Sequence, residues 1–231
     1  MAKKFSGFEP SLFQFLEELK NNNNRDWFNE NKPRYKEQVV EPMGEFINAM
    51  APILAKLSPH FIADARPHGG SMFRIYRDAR FSKDKRPYKT NVGCQFRHAA
   101  GKDAHAPGFY IHLEPGNVFI GGGLWKPPAP ALENIRKAID EKPAQWGKIR
   151  NQKNFLALMG DLRGEALKRP PRGYDADHPQ IDDLKRKSFM VMRELQPDLP
   201  TTPQFLKEVE KTFKTISPFM GFLTEANDLA F

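Results

Sequence analysis

Gly108-Phe-Tyr-Ile-His-Leu-Glu114, followed by Pro115-Gly-Asn117 and then Val118-Phe-Ile120, is the stretch that decides the fold. Phe109, Ile111 and Leu113 alternate with Tyr110, His112 and Glu114, the period of two that a half-buried strand requires. Glu114-Pro-Gly-Asn117 is a turn signal, because Pro presets one backbone angle while Gly and Asn tolerate left-handed ones. An apolar run then resumes, so the reading is a β-hairpin with one apolar face. Upstream, Val92, Cys94 and Phe96 alternate with Gly93, Gln95 and Arg97, and Phe73 and Ile75 alternate with Met72, Arg74 and Tyr76. Far downstream, Phe189, Val191 and Arg193 have the spacing of a further strand. Strands with one apolar face each predict an α+β fold: an antiparallel sheet of four to five strands packed on one face by helices. In this register Gln95, Arg97, Tyr110, His112 and Glu114 share the face turned away from the core, where Arg74 and Tyr76 can join them.

The flanking segments read as helices. Pro10 suits an early helical position, and Leu12, Phe15, Leu16 and Leu19 form one stripe that the Asn run at 21–24 ends. Trp27, Phe28, Asn31 and Tyr35 follow at helical spacing, with Pro33 dividing two short pieces. Between Val39 and Leu57 the apolar positions describe an amphipathic helix in which Pro52 predicts a kink or an early end. After Trp125, prolines open a helix carrying Leu132, Ile135 and Ile139, and shorter pieces carry Trp146, Ile149, Phe155 and Met159. Residues 168–179 read as an ordered surface loop. Thr202-Pro203 and Ser217-Pro218 each read as an N-cap followed by a first-turn proline, which predicts two C-terminal helices. The organisation expected is one domain over 1–231, with helices at 8–57, sheet at 71–122, helices and a basic, Pro-rich loop at 127–187, and C-terminal helices at 202–228.

With 231 residues, 39% hydrophobic and 12% aromatic, the chain can bury a core, and its composition is not that of a disordered protein. Nothing approaches the roughly 20 apolar residues that span a bilayer, and Lys3 and Lys4 are not followed by a signal-type apolar run. The one cysteine, Cys94, excludes an internal disulfide and fits a reducing compartment, so a cytoplasmic location with no membrane partner is expected. On the apolar side of its strand, Cys94 reads as a small buried hydrophobe.

Charge is concentrated just before the hairpin. Arg74, Arg77, Arg80, Lys83, Lys85, Arg86 and Lys89 face only Asp78 and Asp84, so residues 71–90 carry +5 of the chain's net +8. Arg forks match phosphate or carboxylate geometry and Lys adds point charge, so such a loop can surround an anion. The alternative is a solvated charged loop, against which Phe81, Pro87 and Tyr88 are interleaved with the cations. His112, flanked on its own strand face by Tyr110 and Glu114, is the candidate for acid–base work, because a carboxylate neighbour can poise an imidazole near neutrality. Its bland counterpart is an exposed strand histidine. Asp175, Asp177 and His178 have metal-ligating chemistry but are equally turn and cap formers. His98, His105 and His112 are evenly spaced yet separated by strand and loop, and no zinc pattern occurs, so no metal site is assigned. The phosphate-binding loop, dinucleotide fingerprint and nucleophile elbow are absent, and the residues leave the cofactor unknown.

Phe73-Arg-Ile-Tyr-Arg-Asp-Ala-Arg-Phe-Ser-Lys-Asp-Lys-Arg-Pro-Tyr-Lys-Thr90 and Gly108-Phe-Tyr-Ile-His-Leu-Glu-Pro-Gly116 together resemble the domain of unknown function 2461 family of bacteria and fungi. Trp27-Phe28 with Asn31 and Tyr35, the Gly run ending in Leu124, Pro170-Pro-Arg-Gly-Tyr174 leading to Asp177-His178-Pro179, and Lys185-Arg-Lys-Ser-Phe189 extend the resemblance from about Phe5 to Leu223. It implies a single intracellular α+β unit and carries over no activity or catalytic residue. Where family patterns often continue with His after Tyr-Lys-Thr, this chain has Asn91.

The function expected from the residues is binding, with or without turnover, of a phosphorylated or other anionic small ligand. Arg74, Tyr76, Arg77, Arg80, Lys83, Lys85, Arg86, Lys89 and Arg97 are the candidate ligand-binding residues, and Tyr110, His112 and Glu114 would place or protonate the ligand. A nucleic-acid-binding module is the first alternative, since basic residues with interleaved aromatics supply backbone contact and base stacking. An interaction or scaffold domain is the second, and it predicts a contiguous exposed apolar patch. Cations converging on a cavity favour the small ligand, whereas a long stripe of them favours nucleic acid.

Overall fold

The predicted hairpin forms, and the alternating segments at 92–97 and 189–195 pair with it on either side. The computed structural model describes residues 5–101 and 106–231. Its sheet has four antiparallel strands in sequence order: β1 (Val92–Arg97), β2 (Gly108–Glu114), β3 (Asn117–Leu124) and β4 (Phe189–Leu195). Glu114 pairs with Asn117 across the Pro115-Gly116 turn, where Gly116 has φ 76°. Register then aligns Gly93 with His112 and Phe119, and Gln95 with Tyr110, Gly121 and Met192. Those rows form the open face of the sheet. Cys94, Ile111, Ile120 and Val191 lie on the other face and are fully buried.

Helices cover that apolar face. The N-terminal group is α1 (Pro10–Asn21), α2 (Arg25–Glu30), α3 (Lys32–Tyr35) and α4 (Glu41–Leu57), with a π turn over Lys36–Val40 between the last two. After β3 come α5 (Ala129–Glu141), α6 (Pro143–Arg150), α7 (Lys153–Met159) and α8 (Ile181–Leu184), and α9 (Gln204–Glu225) follows β4. The central element is α9. Its Phe213 ring lies 4.5 Å from Phe109 and 6.1 Å from Phe96 on the sheet, while Phe205 meets Phe46 of α4 at 5.6 Å. Farther along α9, Phe219 and Phe222 hold Trp146 of α6 at 5.8 and 4.9 Å. The indole is buried because its N–H donates to Asp183 Oδ2 at 2.7 Å, which leaves no orphan donor in the core.

Two expectations need correction and a third is narrowed. Residues 71–76 form no regular strand. Met72 bridges Cys94, Phe73 N donates to Gly93 O and Gln95 N to Ser71 O; the chain then folds on itself, with Lys89 N donating to Ile75 O and Arg77 N to Pro87 O. Pairing with β1 therefore stops after a few bonds, and Phe73 turns into the open face while Met72 and Ile75 are buried. Pro52 lies inside α4, which continues to Leu57 as its apolar pattern predicts, so of the kink and the early end expected at this proline the early end does not occur. Ser217-Pro218 does not start a helix. Pro218 lies inside α9, and Ser217 Oγ donates back to Phe213 O at 2.8 Å, four residues earlier, so it is no cap. The buried series Phe213, Ile216, Phe219, Met220 and Leu223 runs through the proline, and its packing outweighs the missing backbone bond.

Candidate functional site

The open face of the sheet floors a cavity of about 700 Å³. Its floor is poor in side chains because Gly108 and Gly121 to Gly123 contribute backbone there. Glycine is required at Gly121 and Gly123: an added Cβ would run into the carbonyl oxygens of Val191 and Phe189 on β4, and Gly123 has φ 135°. Phe73, Tyr110 and Phe119 line the cavity together with Met190, Met192 and the half-exposed Trp125. Arg77, Asp78, Lys89 and Asn91 come in from the segment ahead of β1.

Tyr110, His112 and Glu114 fall on one face of β2 by alternation, and the structure joins them into a chain. His112 stacks on Phe119, with centroids 4.4 Å apart and planes at 9°. Its Nε2 lies 3.4 Å from Glu114 Oε2, and its Nδ1 lies 3.1 Å from Tyr110 Oη and 3.4 Å from Asn91 Nδ2. Thr90 Oγ1 donates to Glu114 Oε1 at 2.7 Å and Asn117 Nδ2 to Oε2 at 3.2 Å. Burial pushes the His112 pKa below 6.5, and the Glu114 hydrogen bond and charge only partly offset it. Burial pushes Glu114 up, but its hydrogen bonds from Thr90, Asn117 and His112 win, leaving the carboxyl below its ordinary value. Burial, with Cys94 and Glu114 nearby, pushes the Tyr110 phenol up to about 12. At neutral pH the chain is carboxylate, neutral imidazole, neutral phenol: an acceptor-ready base whose orientation is fixed from behind.

Gly93 makes room for this arrangement. It sits opposite His112, and a Cβ there would lie 2.7 Å from Tyr110 Oη and 3.2 Å from the Phe73 ring. Sequence reading allowed Gly93 close backbone approach but missed what approaches. Phe73, Asn91, Phe119, Trp125, Met190 and Met192 were also not singled out as site residues. For Met190, Met192 and Phe119 a signal existed, since each lies at an open-face position of its strand.

The basic loop divides. Lys89 and Arg77 line the cavity. Lys89 Nζ donates to Arg74 O at 2.9 Å and lies 5.4 Å from the centre of the Phe73 ring. Burial first, and the Arg74 charge second, hold its pKa below that of an ordinary lysine. Arg77 reaches Asp84 Oδ2 at 2.6 Å, which Arg86 also engages at 2.8 Å, and Arg80 pairs with Asp78 at 2.8 Å. Lys85 Nζ reaches Ala79 O at 3.1 Å. Arg74, Arg80, Lys83, Lys85 and Arg86 are exposed, and Phe81 at the loop tip is 95% exposed with the Arg80 guanidinium 5.8 Å from its ring. Tyr76 packs toward Tyr88 and Phe28 at 5.5 and 6.3 Å, away from the cavity walls just described.

Arg97 belongs elsewhere. Its Nη2 donates to Gly69 O at 3.0 Å, and it lines a separate hollow of about 190 Å³ with Asp64, Ser71 and His98. Asp175 and His178 serve local structure: Asp175 Oδ1 accepts from Asp177 N at 3.0 Å, His178 Nδ1 from Gln180 N at 3.0 Å, and His178 Nε2 lies 3.4 Å from Asp140. Among the described residues no three His, Cys, Asp or Glu side chains are grouped so as to hold a metal ion. His105, Lys3 and Lys4 lie outside the described residues.

The chain belongs to the family of conserved hypothetical proteins DUF2461, whose model matches residues 11–222. A search of curated proteins returns no match. Among the described residues no helix is long and apolar enough to cross a membrane.

Proposed function

We propose that the protein binds a small anionic organic molecule in the cavity on the open face of its sheet. The observation that carries this reading is the placement of Lys89 and Arg77 over a largely apolar hollow that also contains the Tyr110–His112 pair. Aromatic and methionine walls around a few polar groups are the usual composition of a small-molecule site. Lys89 has already surrendered much of its hydration, so pairing it with a carboxylate or phosphate adds little further desolvation. The ligand's apolar body would lie against Phe119 and Met192, its anionic group near Lys89 and its hydrogen-bonding edge toward Tyr110 and Asn91. The single buried Cys94 supports placing the protein in a reducing compartment such as the cytoplasm.

Thermal denaturation against a panel of aromatic carboxylates and phosphate monoesters tests this. A Tm that rises with ligand concentration is expected, and Lys89→Met should weaken binding about 10-fold or more, the worth of a charge-assisted bond. No Tm rise with any compound at millimolar concentration would sink the reading.

A second reading rests on Phe81. A nearly fully exposed aromatic among Arg80, Lys83, Lys85 and Arg86 suits a base stacked beside neutralised phosphates. It predicts single-strand affinity that falls with salt at a log–log slope of about −0.7 per phosphate neutralised, and that collapses in Phe81→Ala.

A further inference from the structure

We propose that the cavity is a proton-transfer site: Tyr110 Oη takes a proton from the saturated carbon beside the ketone carbonyl of a bound aryl keto acid and hands its own proton to His112 Nδ1. The inference rests on the binding reading above and names its chemistry.

Hydrogen-bond partners assign the starting state. The ionised Glu114 carboxylate can only accept, and its Oε2 lies 3.4 Å from His112 Nε2, so the ring proton sits on Nε2 and Nδ1, which Asn91 Nδ2 also faces at 3.4 Å, is an acceptor. The Tyr110 hydroxyl, 3.1 Å from Nδ1, therefore donates to it. Tyr110 Oη keeps its lone pairs, and Tyr110, His112 and Asn91 all line the cavity. Glu114 is held in turn by Thr90 and Asn117, so the imidazole is aligned from behind by a fixed carboxylate.

The step balances. The substrate C–H proton moves to Tyr110 Oη, the Tyr110 proton moves to His112 Nδ1, and the C–H electron pair becomes the enolate. The imidazolium that forms lies against Glu114, and the enolate can accept a hydrogen bond from Tyr110. Return of the proton to carbon or to oxygen restores His112 along the same path, so no oxidant, reductant or co-reactant is needed. A neutral imidazole–phenol pair removes only a proton already acidified by a carbonyl, which sets the reacting group. The rings of Phe73, Tyr110 and Phe119, which line the cavity with Met190 and Met192, set a flat, unsaturated body, and Lys89 sets the carboxylate. Burial that disfavours the charged imidazole keeps His112 ready to accept at neutral pH.

Phenylpyruvate in D2O tests both parts, with loss of its methylene signal in proton NMR reading proton abstraction and saturation transfer in the same tube reading binding. The wild-type protein should speed exchange above buffer. His112→Gln and Tyr110→Phe should each lower the rate about 100-fold or more, the ordinary worth of a positioned acid–base group, while still binding the probe. Glu114→Gln should move the acid limb of the rate–pH profile to lower pH, because it removes the interactions that raise the His112 pKa; a merely structural role for Glu114 would not move it. The charged and titratable groups facing His112 are Tyr110 and Glu114 on its own strand, Lys89, Arg77 and Asp78 across the cavity, and Glu194 beyond Phe119. Binding without exchange overturns the proton-transfer inference alone, as do His112→Gln and Tyr110→Phe proteins that exchange at the wild-type rate. Absence of phenylpyruvate binding overturns this inference, and the binding reading falls with it only when the thermal panel is also silent. If His112→Gln fails to fold by circular dichroism, Tyr110→Phe carries the test.

Discussion

Gly93 keeps open the space that the Tyr110 hydroxyl fills, and that makes it the most informative single position. In Gly93→Ala the new methyl would meet Tyr110 Oη at 2.7 Å and Phe73 at 3.2 Å, so the phenol must swing off His112 Nδ1. Overpacking of this kind costs roughly 1–3 kcal/mol. The expected outcome is a folded protein with lowered Tm and lost ligand response, read by the same thermal assay. His112 yields a prediction of pH dependence. Its folded pKa lies below the 6.5 of the unfolded chain, so its contribution to stability is complete above pH 6.5 and is lost as pH falls through the folded value. Glu114 acts in the same sense in its own window, below 4.5. Between pH 8 and pH 5 the wild-type Tm should fall more than that of His112→Gln, where no imidazole must be charged in the interior. Equal slopes for the two proteins would refute this account of His112. These residues were partly legible: alternation put Tyr110, His112 and Glu114 on one face, but Gly93 and Asn91 act through space, and spacing along the chain does not report which side chain lies across a strand.

At the scale of elements, α9 carries the clearest misreading and a prediction from it. Pro218 looked like the first residue of a last helix because Ser-Pro is a start signal and nothing local contradicts it. The contradiction is tertiary: the buried stripe on either side of Pro218 packs on one continuous surface formed by the sheet, α4, α6 and α7. Pro218 itself is exposed, so Pro218→Ala removes no buried contact and restores a backbone donor. Helix-interior proline costs about 3 kcal/mol against alanine, offset by up to about 1 kcal/mol of unfolded-chain entropy. A net gain of roughly 2 kcal/mol in denaturant unfolding is expected, and a loss would mean that the helix depends on the proline. Residues 71–76 failed differently. Their alternation is real, but Lys89 N to Ile75 O and Arg77 N to Pro87 O pull the segment into a turn before it can pair along β1. β4 was legible as alternation at Phe189, Val191 and Arg193, and its Met190 and Met192 then follow onto the open face without further information.

Across the whole molecule, the buried apolar residues form one contiguous cluster from Phe5 to Leu223, drawing on both terminal helical groups and the sheet. We propose on this basis that the chain folds as one domain, which predicts a single cooperative unfolding transition with coincident far-UV and tryptophan-fluorescence midpoints. Two separated midpoints would mean more than one cooperative unit and would overturn the single-domain proposal. The net +8 was legible from composition, but its distribution was not. Asp84 engages both Arg77 and Arg86, and Asp78 engages Arg80, so part of the loop's charge is spent within the loop. Asp84→Asn should release Arg77 at the cavity rim, tightening anion binding in low salt and losing the gain as salt rises.

Cys94 turns the protein into its own reporter. Its thiol is wholly enclosed in the middle of β1, and burial pushes its ionisation far above the physiological range, so a thiol reagent must wait for the sheet to open. In native buffer the labelling rate of the wild-type chain therefore measures that opening directly. A second cysteine placed in the basic loop, as in Ser82→Cys, would take a fluorophore alone while Cys94 stays silent. With Trp27 and Trp146 replaced by Phe so that the indole of Trp125 is the donor, such a label would read the separation of loop and cavity with and without ligand.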